Sequence, residues 1–381
     1  MRIAICTDQY LPLLSGIADS IETLKNGLKD RGHEVRIYAP AIPGCVPDPD
    51  IMHLPQVSIP GSANSLAVVA PVGMLRDLRD FNPDVIHTHT TGITGLCGLY
   101  ASRVLKVPLV GTSHTLPASY LHYFKLDSML GRYLIRKYTA WYFDRCAALS
   151  APSQAMLNEL STYGAKTPMQ VISNPIRTDI FRPLTEKDEL KKKWRIPSRS
   201  MLLFGRIALE KDVDVALEVF ARVSRESDTT LVVVGDGPYR EEFEAHVRAR
   251  RLNKRVMLLG LRRGIELVEI INACDVFLIT SRSENQPLTL LQIMTCGIPA
   301  VAAKAGGLPE YVADNVTGFV VEANDVKGFA RRLQQLLSNK ELSRQFGHAA
   351  HDASVQFSAK KSVDGFEQFY TNTRSVFSER E

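Results

Sequence analysis

Two cationic side chains and one carboxylate stand in the second half of the sequence where they could bind an anionic ligand. Arg206 and Lys211 share the short segment GRIALEK. Arginine binds a diphosphate as a planar fork and lysine binds it as a point charge, so the pair predicts a diphosphate site. Glu284 belongs to SRSENQPLTLLQIMTCGIP, in which Gln292 interrupts an apolar stretch and could hold hydroxyl groups. Solvated surface cations and a carboxylate at a helix N-terminus are the alternatives.

Three histidines in the first half are candidates for proton transfer or for orienting a carbonyl group. His87 and His89 occur as His-Thr-His, but no carboxylate stands at ligand spacing, so we do not expect a zinc site. His114 follows a short apolar run and should end a strand, where an imidazole can act near neutral pH. A core histidine whose hydrogen bonds are satisfied internally is the alternative for His114.

Two Asp-x-Asp strings resemble sites that hold a metal ion together with a diphosphate in some enzymes. Asp48 and Asp50 lie in a proline-rich stretch, which favours a loop. Asp212 and Asp214 stand where a helical pattern begins, and aspartate is a common N-cap. We therefore expect no required metal.

Loops that follow strands must position these side chains, and the chain repeats the order strand, loop, helix. In the first half, the spacing of Ile21, Leu24 and Leu28 predicts a helix over 18–32. The strands predicted for this half are Arg2–Thr7, Glu34–Ala39, Asp84–His87, Pro108–Thr112, Ala148–Pro152 and Gln170–Ile172.

The same alternation restarts after a linker at 174–194 that contains two prolines and three consecutive lysines. Helices are predicted at about 213–224, 238–251 and 287–296. The predicted strands are Ser200–Gly205, Thr230–Gly235, Arg255–Gly260, Val276–Thr280 and Ala300–Ala303. Strands that alternate with helices form parallel sheets covered on both faces.

The predicted fold class is therefore α/β, with two doubly wound, Rossmann-like parallel-sheet domains. We expect them at 1–178 and 179–355, and a final helix at 356–381 that packs back on the first domain. Ligands of such sheets bind at the carboxyl ends of the strands, so both domains should face a central cleft.

Composition agrees with this class and excludes several others. The 381 residues are 45% hydrophobic and 23% charged, which excludes a disordered or fibrous chain. No apolar run reaches about eighteen residues, and Asp8 interrupts the first one, so a strand is expected there instead of a signal peptide. The net charge of +5 is too small to indicate nucleic-acid binding. Six scattered cysteines without a CxxC favour a reduced, cytoplasmic compartment.

One region of the sequence is locally basic. Residues 101–150 carry seven Lys and Arg against two Asp, so this region could contact an anionic partner.

Taken in order, the motifs resemble those of the retaining glycosyltransferases of family 4, which have the two-domain GT-B fold. GRIALEK resembles the GR…EK signature of that family, and the Glu284 segment resembles its E-x7-E region. VVVGDGP at 232–238 and AGGLPEYV at 305–312 resemble further family segments, and the resemblance covers nearly the whole chain. It implies a hexosyltransferase that needs no metal or other cofactor and moves a glucose- or mannose-type sugar from a UDP- or GDP-linked donor to a hydroxyl.

The resemblance also assigns roles to residues. It implies that the first domain binds the acceptor and the second the nucleotide-sugar. It places the amide of Gly16, with Arg206 and Lys211, on the donor diphosphate. Glu284 would hold sugar hydroxyls and His114 would contact the reacting sugar. The remaining donor-binding candidates are Gly235, Asn285, Gln286, Pro287, Leu288 and Gln292.

Two positions depart from the family pattern. Gln292 replaces the second glutamate of E-x7-E, which in the family holds the ribose hydroxyls, so nucleotide binding should be weaker. Gln286-Pro287 replaces the usual Phe-Gly, and proline removes one backbone N–H that could serve a phosphate. Gln292 and Pro287 support a non-catalytic nucleotide-sugar-binding protein as an alternative function. Another GT-B enzyme class, a nucleotide-sugar epimerase or a phosphorylase, is a second alternative.

The segment GTSHTLPASYLHYF resembles lipid-acceptor members: diacylglycerol glucosyltransferases, sulfoquinovosyl transferases and phosphatidylinositol mannosyltransferases. The basic, aromatic helix MLGRYLIRKYTAWYFDRC follows it and could lie on an anionic membrane, at the inner face of the cytoplasmic membrane. A core helix whose cations reach outward is the alternative. The acceptor and membrane candidates are Tyr120, His122, Arg132, Arg136, Lys137 and Trp141.

Overall fold

The chain forms two compact units, which we call unit 1 and unit 2. A computed structural model describes residues 1–13, 15–58, 67–69, 73–118, 121 and 127–379, without the side chains of 56–58 and 67–69. Unit 1 comprises Met1–Pro175 and Ala359–Glu381, and unit 2 comprises Ile176–Ser358. These boundaries lie three residues from the expected ones at 178 and 355.

Unit 1 contains a seven-stranded parallel sheet in the order β3-β2-β1-β6-β7-β8-β9 and a separate antiparallel pair, β4 and β5. Its strands are β1 (Arg2–Cys6), β2 (Glu34–Pro40), β3 (Ile51–Leu54), β4 (Gln56–Ser58), β5 (Ala67–Val69), β6 (Val85–Thr88), β7 (Leu109–Thr112), β8 (Ala148–Ala151) and β9 (Met169–Val171). Its helices are α1 (Gly16–Lys29), α2 (Met74–Phe81), α3 (Ile93–Leu105), α4 (Met129–Phe143), α5 (Gln154–Tyr163) and α14 (Ala359–Ser378).

Unit 2 contains a six-stranded parallel sheet in the order β12-β11-β10-β13-β14-β15. Its strands are β10 (Ser200–Phe204), β11 (Thr230–Val234), β12 (Val256–Gly260), β13 (Val276–Ile279), β14 (Ala300–Ala303) and β15 (Gly318–Val321). Its helices are α6 (Lys187–Trp194), α7 (Val213–Glu226), α8 (Arg240–Ala249), α9 (Gly264–Ala273), α10 (Leu288–Thr295), α11 (Leu308–Tyr311), α12 (Val326–Ser338) and α13 (Lys340–Ser354).

The prediction of two doubly wound parallel-sheet domains is confirmed, and the structure adds strands that the sequence analysis missed. β3 extends the first sheet beyond β2, and β15 extends the second sheet beyond β14. Both are short strands at a sheet edge, each with a single partner strand. Central strands such as β11, with the sequence TLVVV, are buried along their whole length, as is typical of parallel strands between two helical layers.

The final helix, α14, belongs to unit 1 although unit 2 precedes it in the chain. It packs against α1, where a Cβ added to Gly27 would come within 2.6 Å of a Val363 methyl carbon. Arg31 Nη1 donates to Glu367 Oε2 at 2.7 Å across the same contact. The side chain of Tyr370 is completely buried in the core of this unit.

Candidate active site

Two loops of unit 2 meet where the strand order of its sheet reverses. β10 pairs with β11 on one side and with β13 on the other, so the loops that follow β10 and β13 leave the sheet side by side. Thr280 Oγ1 donates to the carbonyl of Asp212 at 3.0 Å, and Ser281 Oγ donates to that of Glu210 at 3.2 Å. In doubly wound sheets, this switch point is where ligands bind.

The predicted diphosphate cations lie at this switch point, each beside a carboxylate. Lys211 Nζ donates to Glu284 Oε1 at 2.7 Å, and the carboxylate side chain is almost completely buried. Arg206 is more exposed, and its Nη1 is 3.9 Å from Glu210 Oε1. The structure therefore brings Lys211 and Glu284 into direct contact, which their separation in the sequence did not predict.

Close backbone approaches explain two glycines of the site. Gly235 follows β11 with φ +140°, and a Cβ there would lie 1.9 Å from the carbonyl oxygen of Gly205. Gly306 has φ +53°, and a Cβ there would lie 2.5 Å from the Glu284 carbonyl oxygen. A side chain at either position would displace the loop that carries a predicted ligand residue. The sequence analysis named Gly235 but not Gly306, although Gly306 lies in the AGGLPEYV segment.

The remaining candidates for binding the nucleotide-sugar lie in α10 or directly before it. Pro287 is the N-cap residue and has no N–H, and the Leu288 N–H donates to the Gln286 carbonyl at 3.0 Å. A phosphate at this helix terminus would therefore meet fewer N–H groups than one without proline offers. Asn285 is half-buried, and Gln292 is also half-buried, one turn from the C-terminus of the helix.

Both Asp-x-Asp strings contain an aspartate side chain that hydrogen-bonds other groups of the protein. Asp48 Oδ1 accepts from the backbone N–H of Asp50 at 2.8 Å. Asp214 accepts from Tyr239 Oη at 2.6 Å and is 2.6 Å from His246 Nδ1. Within the described part of the chain, no three His, Cys, Asp or Glu side chains group in a way that could hold a metal ion.

In unit 1, three buried histidines form one cluster at the carboxyl ends of β6 and β7. We call His87, His89 and His114 the histidine cluster. His89 Nδ1 is 2.8 Å from His114 Nε2, and the His87 and His89 ring centroids are 3.9 Å apart. His87 is held by Tyr370 Oη at 2.8 Å and by Thr112 Oγ1 at 2.6 Å. The sequence did not predict that His89 would contact both His87 and His114.

The histidine cluster is neutral near pH 7. Burial, with a smaller contribution from the nearby His114, lowers the pKa of His87 to about 3. Burial lowers the pKa of His114 to about 4, although a hydrogen bond to Asn174 acts in the opposite direction. Burial also holds the pKa of His89 well below its usual value. His114 is therefore suited to hydrogen bonding as a neutral imidazole, and less to proton transfer near pH 7.

The loop after β1 contains Gly16 and a carboxylate that the sequence analysis did not consider for the site. Gly16 is the first residue of α1, and the N-cap Ser15 accepts through Oγ from the N–H of Ala18 at 3.1 Å. Asp8 Oδ1 accepts from the N–H of Thr94, in the first turn of α3, at 2.9 Å. The position of Asp8 directly after a strand was the available signal.

Helix α4 carries the predicted basic and aromatic residues on a partly apolar, exposed surface. Arg132 binds Asp127 at 2.5 and 2.9 Å, and Arg136 lies 3.5 Å from Glu159, so carboxylates partly neutralise both. Lys137 Nζ lies 5.8 Å from the Tyr133 ring centroid. The exposed apolar residues of α4 are Met129, Leu130, Tyr133, Leu134 and Trp141.

Two acceptor candidates, Tyr120 and His122, lie outside the described residues. Among the helices that the structure describes, none is long and apolar enough to span a bilayer.

Comparison with known proteins identifies the family. Residues 14–180 match the protein-family model described as Glycosyltransferase Family 4, and residues 186–353 match the model described as Glycosyl transferases group 1. The chain belongs to the GT-B glycosyltransferases of family 4. The family, the fold class and the enzyme class predicted from the sequence are thereby confirmed.

Curated relatives of this glycosyltransferase align along most of its length. The alpha-monoglucosyldiacylglycerol synthase of Streptococcus pneumoniae is 29% identical over 383 residues, covering 97% of this chain and 85% of the relative. A GDP-mannose-dependent alpha-mannosyltransferase of Mycolicibacterium smegmatis is 28% identical, with 92% of each chain covered. The crystal structure of HepE from Anabaena in complex with UDP aligns with a TM-score of 0.80 at 19% identity, covering 98% of this chain and 100% of HepE. At that identity the likeness shows the fold alone.

Proposed function

We propose that this glycosyltransferase moves a hexose from a nucleotide-sugar to the hydroxyl of a glycerolipid acceptor, with retention of anomeric configuration. The observation that carries the proposal is the contact between Lys211 and Glu284 at the switch point of unit 2, with Arg206 on the same loop as Lys211. In this proposal unit 2 binds the donor and unit 1 binds the acceptor.

The donor diphosphate supplies the negative charge that Arg206 and Lys211 are placed to bind. Lys211 is held by Glu284 and Arg206 lies near Glu210, so both cations are kept near one place before a ligand arrives. Preorganised donors of this kind stabilise charge that develops on a leaving group, here the nucleoside diphosphate. Once Lys211 turns to the diphosphate, the Glu284 carboxylate becomes available to accept hydrogen bonds from sugar hydroxyls.

Retention requires that the new bond forms on the face from which the leaving group departs. The bond between the anomeric carbon and the diphosphate oxygen breaks, and the acceptor oxygen bonds to that carbon on the same face. The acceptor proton passes to the departing diphosphate, so charge balances without a protein base. UDP-glucose and GDP-mannose carry an α-linked diphosphate, and the names of both relatives specify alpha-linked products, which supports retention.

A lipid acceptor is supported by the relatives and by α4. A second alpha-monoglucosyldiacylglycerol synthase, from Acholeplasma laidlawii, is 27% identical over 344 residues. The exposed apolar residues Leu130, Tyr133 and Leu134 lie on α4 close to the cations Arg136 and Lys137. Such a surface can rest at a bilayer interface, where apolar contact and attraction to anionic lipids act together.

The proposal is tested by acceptor-dependent release of nucleoside diphosphate from UDP-glucose and GDP-mannose, with diacylglycerol in vesicles or a water-soluble alcohol as acceptor. We expect release with one donor only, dependence on the lipid acceptor, and an α-linked product by NMR. Arg206→Ala should lose this release, and Arg344→Ala, at a surface site on α13, is the matched control. A β-linked product would contradict retention, and an epimerised donor without release would contradict transfer.

A further inference from the structure

The hydrogen bonds of the histidine cluster determine which nitrogen of His114 carries its proton. His114 Nε2 is 2.8 Å from His89 Nδ1. His114 also bonds the side chain of Asn174, and this bond raises the pKa of His114. Two neutral arrangements of the histidine pair exist: either the Nδ1–H of His89 donates to His114 Nε2, or the Nε2–H of His114 donates to His89 Nδ1.

The second ring nitrogen of His89 distinguishes the two arrangements. His89 Nε2 is buried and has no hydrogen-bond partner among the residues that the structure describes. If His89 donates through Nδ1, this Nε2 carries a lone pair, because a neutral imidazole has one donor and one acceptor nitrogen. The reverse arrangement would bury an N–H group without an acceptor, which native proteins tolerate less than an unpaired acceptor. The first arrangement is therefore favoured, and in it the hydrogen of His114 is on Nδ1.

The ring of His89 is held in place by its neighbours. It is nearly parallel to the His114 ring, at 18° and 5.1 Å between centroids, and it contacts the His87 ring on another side. His87 is fixed in turn by Tyr370 and Thr112. The orientation of the Nδ1–H of His89 toward His114 is therefore set by residues from β6, β7 and α14.

We propose that His89 is a positioning residue that holds His114 as the Nδ1–H tautomer, so that His114 donates a hydrogen bond to a hydroxyl of the transferred sugar. The inference rests on the proposed function, together with the family resemblance, which implies that His114 contacts the reacting sugar. In this structure His114 bonds the side chain of Asn174, and the sugar hydroxyl replaces Asn174 when the nucleotide-sugar binds. His89 acts through His114 and does not itself touch the substrate.

Paired amide substitutions test the tautomer, because asparagine places an N–H near the position of histidine Nδ1 and glutamine places one near Nε2. We expect His114→Asn to retain at least about tenfold more kcat than His114→Gln, the ratio that one hydrogen bond of about 1.4 kcal/mol supplies. His89→Asn keeps an N–H group near the position of Nδ1, so its kcat should stay within about threefold of the wild-type value. His89→Leu removes this N–H group and should lower kcat about tenfold, with the KM for the nucleotide-sugar unchanged.

The ¹⁵N chemical shifts of the imidazoles measure the tautomer directly in the full-length wild-type protein. Selective ¹⁵N-histidine labelling, with His114→Asn and His89→Asn for assignment, should show a protonated Nδ1 and an unprotonated Nε2 in both rings. A protonated Nε2 in His114 would overturn the inference, whatever the activity of the variants.

The experiments distinguish a wrong sugar contact for His114 from a wrong positioning role for His89. Full activity of His114→Ala would remove His114 from the proposed sugar site and leave the tautomer to be read from the NMR shifts. Loss of activity in His114→Ala, together with wild-type kcat in His89→Leu, would contradict only the positioning role of His89. The melting temperature of each variant identifies any that fails to fold, and for such a variant the NMR measurement on the wild type decides.

Discussion

Replacing Lys211 by methionine should weaken both the fold of unit 2 and catalysis. Lys211 Nζ lies 2.7 Å from Glu284 Oε1, and the two side chains are 29% and 10% exposed. A hydrogen bond to a charged group contributes about 1.5–3 kcal/mol, and partial exposure of the lysine reduces this to about 1–2 kcal/mol. For a unit of this size, that loss lowers Tm by about 2–8 °C. Loss of a cation from the leaving group should reduce kcat/KM at least about 100-fold.

A double-mutant cycle separates the two effects. Glu284→Gln removes the carboxylate, so Lys211→Met combined with Glu284→Gln should lose less stability than the sum of the single changes, by about 1 kcal/mol. Activity should not recover in the double variant, because the diphosphate still lacks its cation. Differential scanning fluorimetry measures Tm, and nucleoside diphosphate release measures kcat/KM. Strictly additive losses of stability, or kcat/KM within about threefold of wild type in Lys211→Met, would refute the reasoning.

Further consequences concern the nucleotide, pH and the membrane. Gln292→Glu should tighten nucleoside diphosphate binding in calorimetry if the side chain reaches the ribose, and an unchanged Kd would remove it from the site. Because the pKa of His114 is lowered to about 4, the unfolded chain binds a proton near pH 6.5 that the folded chain does not. Stability should therefore fall as pH decreases from about 6.5 towards 4, and His114→Asn should make urea unfolding less pH-dependent. Replacing Leu130, Tyr133 and Leu134 by serine should reduce sedimentation with anionic vesicles several-fold without changing Tm, and unchanged sedimentation would exclude α4 as the contact.

Most strands of both sheets could be predicted from the sequence, including β9 and β12 at sheet edges, but β3 and β15 could not. β11 has the sequence TLVVV, with three consecutive valines before Gly235, so its pattern alone indicates a buried strand. β3 and β15 have four residues each and lie at sheet edges. A short strand at a sheet edge depends on pairing with its one neighbour as well as on its own residues, so a local pattern does not always identify it.

The candidate site was predicted in its parts but not in its contacts. Arg206, Lys211 and Glu284 were identifiable because their types suit a diphosphate and sugar hydroxyls and because they follow predicted strands. The 2.7 Å contact between Lys211 and Glu284 joins residues 73 positions apart, so it depends on the strand order of the sheet. The histidine cluster depends even more on contacts between distant parts of the sequence, because Tyr370, which hydrogen-bonds His87, lies 283 positions further along the chain.

The most direct test of diphosphate binding at Arg206 and Lys211 is a crystal structure of this glycosyltransferase with its intact nucleotide-sugar. We expect Lys211 Nζ to leave Glu284 Oε1 and to lie within about 3 Å of a diphosphate oxygen, with Arg206 on the same group and Glu284 on a sugar hydroxyl. A nucleotide-sugar bound elsewhere, with the Lys211–Glu284 contact intact and Arg206 in solvent, would contradict the proposed function.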